Sequence, residues 1–353
     1  MSFFNKVFQK QGAVMTSDLN LKSSRASFLD IAKGIGIILV VLGHTFSLPH
    51  LLYHTIYSFH MPLFFIISGY VYNENKYNGF KLSKMLAQRA KRYLIPYYIF
   101  AGINLVLALG FNLVFRHTPI TFAAIKTYVF GTLYCYADIR YMPNCSPIWF
   151  LMTLFIGGMI FWAIMKFSYK TRPIWATLLL CVSFLLYFFV DFRLPLNLAP
   201  TGAAVFLMYV GYLIKRYDLL KHSWLILLFI VGFIASYLNK TNVGMNENTY
   251  GNPILFLIAA VCLSLALLIL CRLVSKFNNP VNVFLKWLGS NTLLIVAFNY
   301  FMRDFTTEFY YFIPVVRNHM LHWTVSFVLT LAGCIVLILF WNFVKSKFQA
   351  NKI

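Results

Sequence analysis

Two ionisable residues, Lys33 and His44, lie eleven positions apart inside the first long apolar run of the sequence. In a helix with 3.6 residues per turn, eleven positions correspond to about 1100°, or three turns plus about 20°. Both side chains then share one helix face and lie about 16 Å apart along the axis. Ionisable groups inside a bilayer are costly, and they normally face protein or a water-filled cavity. The face that carries Lys33 and His44 is therefore predicted to point into a helical bundle.

A second histidine, His60, opens the next apolar run. Two antiparallel helices joined near residue 52 would place His60 at the depth of His44. A neutral imidazole takes up and returns a proton near pH 7, so paired histidines at one level suit general-base chemistry on a hydroxyl group. The alternative is a structural role, in which a backbone carbonyl holds each ring.

The composition identifies the elements that must position these residues. The chain has 353 residues, of which 60% are hydrophobic and 11% are charged, and its mean hydropathy is +0.73. Soluble domains carry roughly a quarter charged residues, so the sequence predicts an integral membrane protein. The net charge of +21 does not indicate nucleic-acid binding, because the Lys and Arg residues form short clusters between apolar runs.

Ten apolar runs are long enough for membrane spans, which need about 20 residues each. Most of the 30 Lys and Arg residues fall in one set of alternating loops, as the positive-inside rule requires. The predicted fold is an all-α polytopic helical bundle of about ten transmembrane helices with both termini cytoplasmic. The predicted spans are 31–48, 55–72, 94–115, 148–165, 174–191, 198–214, 223–239, 252–271, 286–302 and 322–344.

The remaining segments are short. The first 27 residues are polar and basic and precede no cleavage site, so we expect no signal peptide. The predicted organisation is a cytoplasmic tail at 1–27, a membrane domain at 28–344 and a cytoplasmic tail at 345–353, with no soluble catalytic domain. A polar and aromatic run at 119–134 is predicted to be interfacial or re-entrant and not an eleventh span.

The cysteines give one candidate disulfide and no metal site. Cys135 and Cys145 share a predicted outer loop and either form a short disulfide or remain unpaired. The other four cysteines lie in apolar runs without the spacing of metal ligands. That outer loop and the one that holds Arg303 and Asp304 are the predicted polar outer surfaces.

The first two runs carry specific motifs. The stretch 29–44, with Lys33, ten residues and then His44, and the stretch 59–69, with Phe64-Phe65-x-x-Ser68-Gly69, resemble the membrane-bound acyltransferase family 3. Within it, they are most similar to the fucose 4-O-acetylase-like, or O-antigen O-acetyltransferase, branch. The stretches 89–96 and 147–151 are also similar to the family. The family usually has a late histidine where this chain has Asn299.

The resemblance implies transfer of an acetyl group from cytoplasmic acetyl-CoA to a hydroxyl of a surface or lipid-linked saccharide, such as O-antigen, capsule or exopolysaccharide. It implies a multi-pass protein of the inner (plasma) membrane, with acetyl-CoA as donor substrate and no tightly bound cofactor. His44 is the expected general base or transient acyl acceptor. Lys33 would place a positive charge near the thioester or the phosphates of the donor. Burial beside Asp30, three residues earlier in the helix, would determine whether Lys33 stays charged. Candidate donors to the developing oxyanion are Ser68, Asn299 and His60.

Donor and acceptor contacts follow from the same resemblance. Arg89, Lys91 and Arg92 lie at the cytoplasmic edge, where they would bind the phosphates of CoA; the alternative is ordinary positive-inside charge. Trp149 would stack on a sugar or on adenine, or else it anchors the helix at the membrane interface.

Two other functions compete with this one. An exporter of a polysaccharide or a lipid-linked sugar would also have ten spans with buried charges, but such transporters usually contain internal repeats, and no convincing half-repeat is present. A structural or sensory subunit leaves the face with Lys33 and His44 unexplained.

Overall fold

The computed structural model of the chain describes residues 23–143, 146–310 and 322–350, which form a bundle of α-helices. No strand occurs within these ranges, where an isolated bridge pairs Gly244 with Thr249. The helices are α1 (Ser23–Gly43), α2 (His50–Tyr70), α3 (Glu74–Asn78), α4 (Leu82–Arg89), α5 (Ile95–Val114), α6 (Phe122–Tyr134), α7 (Trp149–Ile164), α8 (Arg172–Phe189), α9 (Thr201–Arg216), α10 (Leu228–Leu238), α11 (Pro253–Val274), α12 (Pro280–Ser290), α13 (Thr292–Tyr310) and α14 (His322–Ala350).

Long apolar helices identify the chain as a multi-pass membrane protein. Within the described ranges, six helical segments are long and apolar enough to cross a membrane, or seven when α12 and α13 count as one bent crossing. The predicted number of ten is larger, partly because α7 and the segment Ser223–Leu238 are apolar but short. The six segments are His50–Tyr70, Leu82–Val114, Arg172–Phe189, Pro195–Arg216, Pro253–Val274 and His322–Lys347.

The predicted span at 286–302 is not one continuous helix. The structure breaks it at Asn291, between α12 and α13, and the two helices meet at 83°. Two side chains at the break hold the last turn of α12: the amide of Asn291 donates to the carbonyl of Trp287 at 2.8 Å, and the hydroxyl of Ser290 donates to the same oxygen at 2.9 Å. Polar side chains that bond to nearby backbone groups in this way favour helix ends over helix interiors.

The run at 119–134 forms the short helix α6. Thr121 caps its first turn by accepting a hydrogen bond from the backbone N–H of Ala124, and Cys135 ends it in the left-handed conformation. Its thirteen residues extend about 20 Å, which is less than the roughly 30 Å hydrocarbon core of a bilayer.

Close helix contacts fix α2 against α9. Gly69 of α2 lies against the backbone carbonyl of Met208, and Gly211 of α9 lies against the backbone carbonyl of Ile66. A methyl group at either glycine would overlap the facing carbonyl oxygen. Small residues allow membrane helices to approach at backbone distance, where dispersion and weak polar contacts stabilise the pair. These two contacts therefore set the position of α2, which carries His60.

We expect Gly69→Ala to lower the free energy of unfolding by about 1–3 kcal/mol, because the added methyl group must displace the Met208 backbone. The matched control is Gly110→Ala in α5, where an added methyl group meets open space. SDS titration of both purified variants in mixed micelles measures the difference. Equal unfolding midpoints for the two variants would show that the contact between α2 and α9 does not limit stability.

Candidate active site

A cavity of about 350 Å³ lies at the end of the bundle where α1 ends and α2 begins, which we call the His44 end. It brings together His44, His60 and Trp149 from the sequence prediction with three tyrosines that were not predicted. Loop residues from 137–139 and 242–249 close its mouth. The histidines and aromatic residues that line it, which we call the cavity wall, are His44, Tyr53, Tyr57, His60, Phe64, Trp149, Phe150 and Tyr300.

His44 follows the last residue of α1 and is held by two phenol groups. Its Nδ1 lies 2.9 Å from the hydroxyl oxygen of Tyr57 and 3.3 Å from that of Tyr300. Both phenyl rings meet the imidazole edge to face. A phenol oxygen also accepts a hydrogen bond, so Nδ1–H can donate to it and leave the lone pair on Nε2. In that tautomer His44 presents a base to the cavity.

The tautomer of neutral His60 is determined by a hydrogen bond to the backbone. Its Nδ1–H donates to the backbone carbonyl of Ile56 at 2.7 Å, and a carbonyl oxygen only accepts. The lone pair of the neutral ring therefore lies on Nε2. The ring is 3% exposed, lines the cavity and contacts Tyr57 edge to face. A neutral His60 consequently accepts hydrogen bonds there and does not donate them, which argues against its predicted role as an oxyanion donor.

A buried ion pair supports His44 from outside the cavity. Arg303 donates to the backbone carbonyl of His44 at 3.2 Å, and its guanidinium lies over the rings of Tyr300 and Phe46, 4.4 Å from each centroid. The same guanidinium donates twice to one oxygen of Asp304, at 2.6 and 2.8 Å. The prediction of an outer loop here is wrong, because both residues lie in α13 and are 8% exposed.

Sequence reasoning missed Tyr57, Tyr300 and Arg303. Helical spacing offered one signal, since Tyr57 precedes His60 by three residues and Tyr300 precedes Arg303 by three, and residues three apart share a helix face. Nothing in the sequence links position 300 to position 44, because that contact depends on how α13 packs against α1.

Asp30 and Lys33 of α1 and Ser68 of α2 lie in the halves of these helices that are remote from the His44 end, and they do not line the cavity. Lys33 and Asp30 form an ion pair at 2.5 Å, with about a third of each side chain exposed. Ser68 is half-buried and does not line the cavity. Asn299 is buried, and its amide donates to the backbone carbonyls of Ile295 and Val296, so its hydrogens are not free for an oxyanion.

The three predicted donor-binding residues have different environments. Arg89 points into the bundle, where its guanidinium covers Gly158 and donates to the carbonyl of Leu154 at 3.3 Å. Its Nε is buried and has no hydrogen-bond partner among the described residues. Lys91 and Arg92 are exposed. A π-helical turn at Ala90–Leu94 follows α4 and gives these neighbouring residues their different directions. Arg89 is therefore the residue of this group that reaches the bundle interior.

Cys135 is buried at 1% exposure. Cys145 lies outside the described residues, so the disulfide between the two stays a prediction.

Comparison with known families agrees with this arrangement. The sequence model of a family described as an acyltransferase domain, the acyltransferase 3 family, matches residues 27–339. This match contains α1 from residue 27 onward, all of α2 and every described residue of the cavity wall. No curated protein and no solved structure matches the chain. Because the match covers most of the chain, the protein belongs to the acyltransferase 3 family and is a multi-pass membrane acyltransferase.

Proposed function

We propose that the protein is an O-acetyltransferase of the fucose 4-O-acetylase-like branch, which transfers acetyl from acetyl-CoA to a hydroxyl of a lipid-linked or surface saccharide. The observation that carries the proposal is the cavity lined by His44, His60 and Trp149, in which the Nδ1 atoms of both histidines lie within hydrogen-bond distance of protein oxygens. An aromatic wall with a few polar groups suits a sugar ring, and an unprotonated imidazole suits activation of its hydroxyl.

His44 is the proposed base for direct transfer. Its Nε2 takes the proton of the sugar hydroxyl as the oxygen attacks the thioester carbon. The tetrahedral intermediate collapses as the C–S bond breaks, and the imidazolium returns the proton to the departing CoA sulfur. The phenols of Tyr57 and Tyr300 hold Nδ1 and keep the ring aligned through both steps. The second route, in which His44 carries the acetyl group as an acyl-imidazole, uses the same atoms.

The donor is proposed to approach from the opposite end of the bundle. Arg89, Lys91 and Arg92 would bind the phosphates of CoA, with Arg89 the member that points inward. Lys33 lies about 16 Å from His44 along α1, and its cation, paired with Asp30, would line the path of the thioester. The pantetheine arm would extend from Arg89 past Lys33 to the cavity.

The orientation in the membrane follows from charge. We propose ten spans, the membrane domain at 28–344 and both termini in the cytoplasm of a cell whose inner membrane holds the protein. The support is the concentration of Lys and Arg in the loops opposite the His44 end. In this orientation the His44 end faces outward, and the acceptor saccharide reaches the cavity from that side.

The test is the ester acetate content of purified envelope polysaccharide from cells with the wild-type protein, His44→Ala, His50→Ala or no copy. Membrane levels of the proteins are matched. His50 is the control, because it lies at the same end, is exposed and does not line the cavity. We expect ester acetate with the wild type and with His50→Ala, and background levels in the other two samples.

Two results would contradict the proposal. Normal acetylation with His44→Ala would remove His44 from the reaction. If no sample contains ester acetate while surface polysaccharide depends on the protein, the exporter alternative replaces the acetyltransferase.

A further inference from the structure

The charged groups at the mouth of the cavity have one sign. Asp138 and Glu247 both line it, and no Lys or Arg is among the lining residues that the structure describes. This is unexpected by composition, because the chain has 30 Lys and Arg residues but only 9 Asp and Glu. The charged groups that line the described part of the cavity are therefore two carboxylates. Their paired cations, Arg140 at 2.7 Å from Asp138 and Arg193 at 3.0 Å from Glu247 and 3.8 Å from Asp138, are not among the lining residues.

Arg193 holds the two acidic loops together from outside the cavity. Its guanidinium donates to the backbone carbonyl of Ala137 at 2.7 Å, lies 3.0 Å from the carboxylate of Glu247 and stacks on the ring of Tyr136. The amide of Asn246 donates to the same carbonyl at 3.2 Å. Segments that are far apart in the sequence thus form one rim, and the cation that joins them does not face the cavity.

Asp138 remains a carboxylate in this setting. Arg140 donates to it through its backbone N–H at 2.9 Å and through its guanidinium at 3.0 and 2.7 Å. These hydrogen bonds hold the pKa of Asp138 below its ordinary value, against the opposing effect of burial. An ionised carboxylate has about four lone-pair sites, and these three hydrogen bonds leave about one of them, on Oδ2, for a group in the cavity.

The floor of the cavity also accepts hydrogen bonds. His60 is buried, with 3% of its surface exposed. Its Nε2 carries the lone pair of the neutral ring, and no described protein group donates a hydrogen bond to that atom. Sugar hydroxyls donate to carboxylates and to imidazole nitrogen, whereas a sugar carboxylate or phosphate would face lone pairs and negative charge. Like charges brought together in a partly desolvated site cost several kcal/mol in general.

We propose that the cavity selects uncharged or cationic sugars and rejects acidic ones, with Asp138 and Glu247 as the specificity-determining residues. This inference rests on the proposed function, since it describes the acceptor of that reaction. The carboxylates accept hydrogen bonds from hydroxyl groups remote from the reacting one, while His44 and His60 face the reacting hydroxyl.

The test uses the purified full-length protein, radiolabelled acetyl-CoA and alkyl glycosides of glucose and galactose in three forms. At C5 they carry a hydroxymethyl group, a trimethylammoniomethyl group or a carboxylate, so that the three forms differ only at C6. The quaternary ammonium group carries a positive charge and cannot itself be acetylated. We expect kcat/KM for the carboxylate form to be lower than for the other two by roughly a hundredfold, the effect of a few kcal/mol of like-charge repulsion.

Variants that neutralise one carboxylate at a time test whether Glu247 and Asp138 cause the discrimination against the carboxylate form. Glu247→Gln should recover roughly tenfold of the loss for the carboxylate form, and it preserves the fold because this side chain is 53% exposed. Asp138→Asn should act in the same direction. Asp191→Asn is the control, since Asp191 is exposed and does not line the cavity.

The outcomes separate the two proposals. Equal use of the carboxylate form by the wild type, or unchanged discrimination in Glu247→Gln and Asp138→Asn, would overturn the charge selection and leave the acetyltransferase intact. Acetylation of none of the glycosides by the wild type would contradict the proposed function itself.

Discussion

We expect His44→Gln to lower kcat for acetyl transfer by about 10²–10⁴-fold while the KM values for donor and acceptor change little. The reason is that a general base acts only as the new bond forms, so its loss removes transition-state stabilisation and not ground-state binding. Glutamine is close to histidine in size and retains a hydrogen-bonding group for Tyr57 and Tyr300. The measurement is steady-state kinetics of the purified protein with labelled acetyl-CoA and a neutral glycoside.

His60→Gln separates the two histidines. Because Nε2 of His60 accepts a hydrogen bond in the cavity, its replacement should mainly raise the KM for the acceptor. His50→Gln is the control and should match the wild type. A wild-type kcat in His44→Gln with a large loss in His60→Gln would reverse the assignment. A stoichiometric burst of free CoA without acceptor would identify the acyl-imidazole route.

Arg303→Ala has the largest expected effect on stability, a loss of about 3–5 kcal/mol in the free energy of unfolding, because it leaves the buried carboxylate of Asp304 without its main partner. The remaining cation, Arg116, lies 3.6 Å from that carboxylate and is half-exposed, so it compensates weakly. SDS unfolding in mixed micelles measures the loss. Activity should fall with it, since Arg303 also holds the carbonyl of His44.

The double variant Arg303→Ala/Asp304→Ala provides the control. Removing both charges takes away the unpaired carboxylate, so part of the lost stability should return. Activity should not return, because the contacts of Arg303 with the His44 carbonyl and the Tyr300 ring remain absent. If the double variant is as unstable as Arg303→Ala, the cost lies in lost packing and not in the buried charge.

The first hairpin was the part of the site most accessible to sequence reasoning. Helical periodicity and an antiparallel turn predict that His44 and His60 share a level, and both line one cavity in the structure. These are local rules, which need only the geometry of one helix pair. The catalytic roles of the two residues stay predictions.

The rest of the site depends on contacts between distant segments. Tyr300 reaches His44 from α13, whose direction is set by the break at Asn291, and apolar content alone does not reveal that break. The acidic rim depends on Arg193, which joins loops near residues 137 and 247. Neither contact leaves a periodic signal in the sequence, because each depends on tertiary packing.

The break between α12 and α13 also bears on how far an acetyl group must travel. Helix ends inside a bilayer are tolerated only where protein or water covers their backbone groups. Gly289, two residues before the break, lies against the backbone carbonyl of Asp30, so the interruption adjoins the ion pair of Asp30 and Lys33. Lipid is thereby kept from this side of α1. On the proposed donor path, the acetyl group would cross only the stretch from Lys33 to His44, about 16 Å along α1, or roughly half the hydrocarbon thickness of a bilayer.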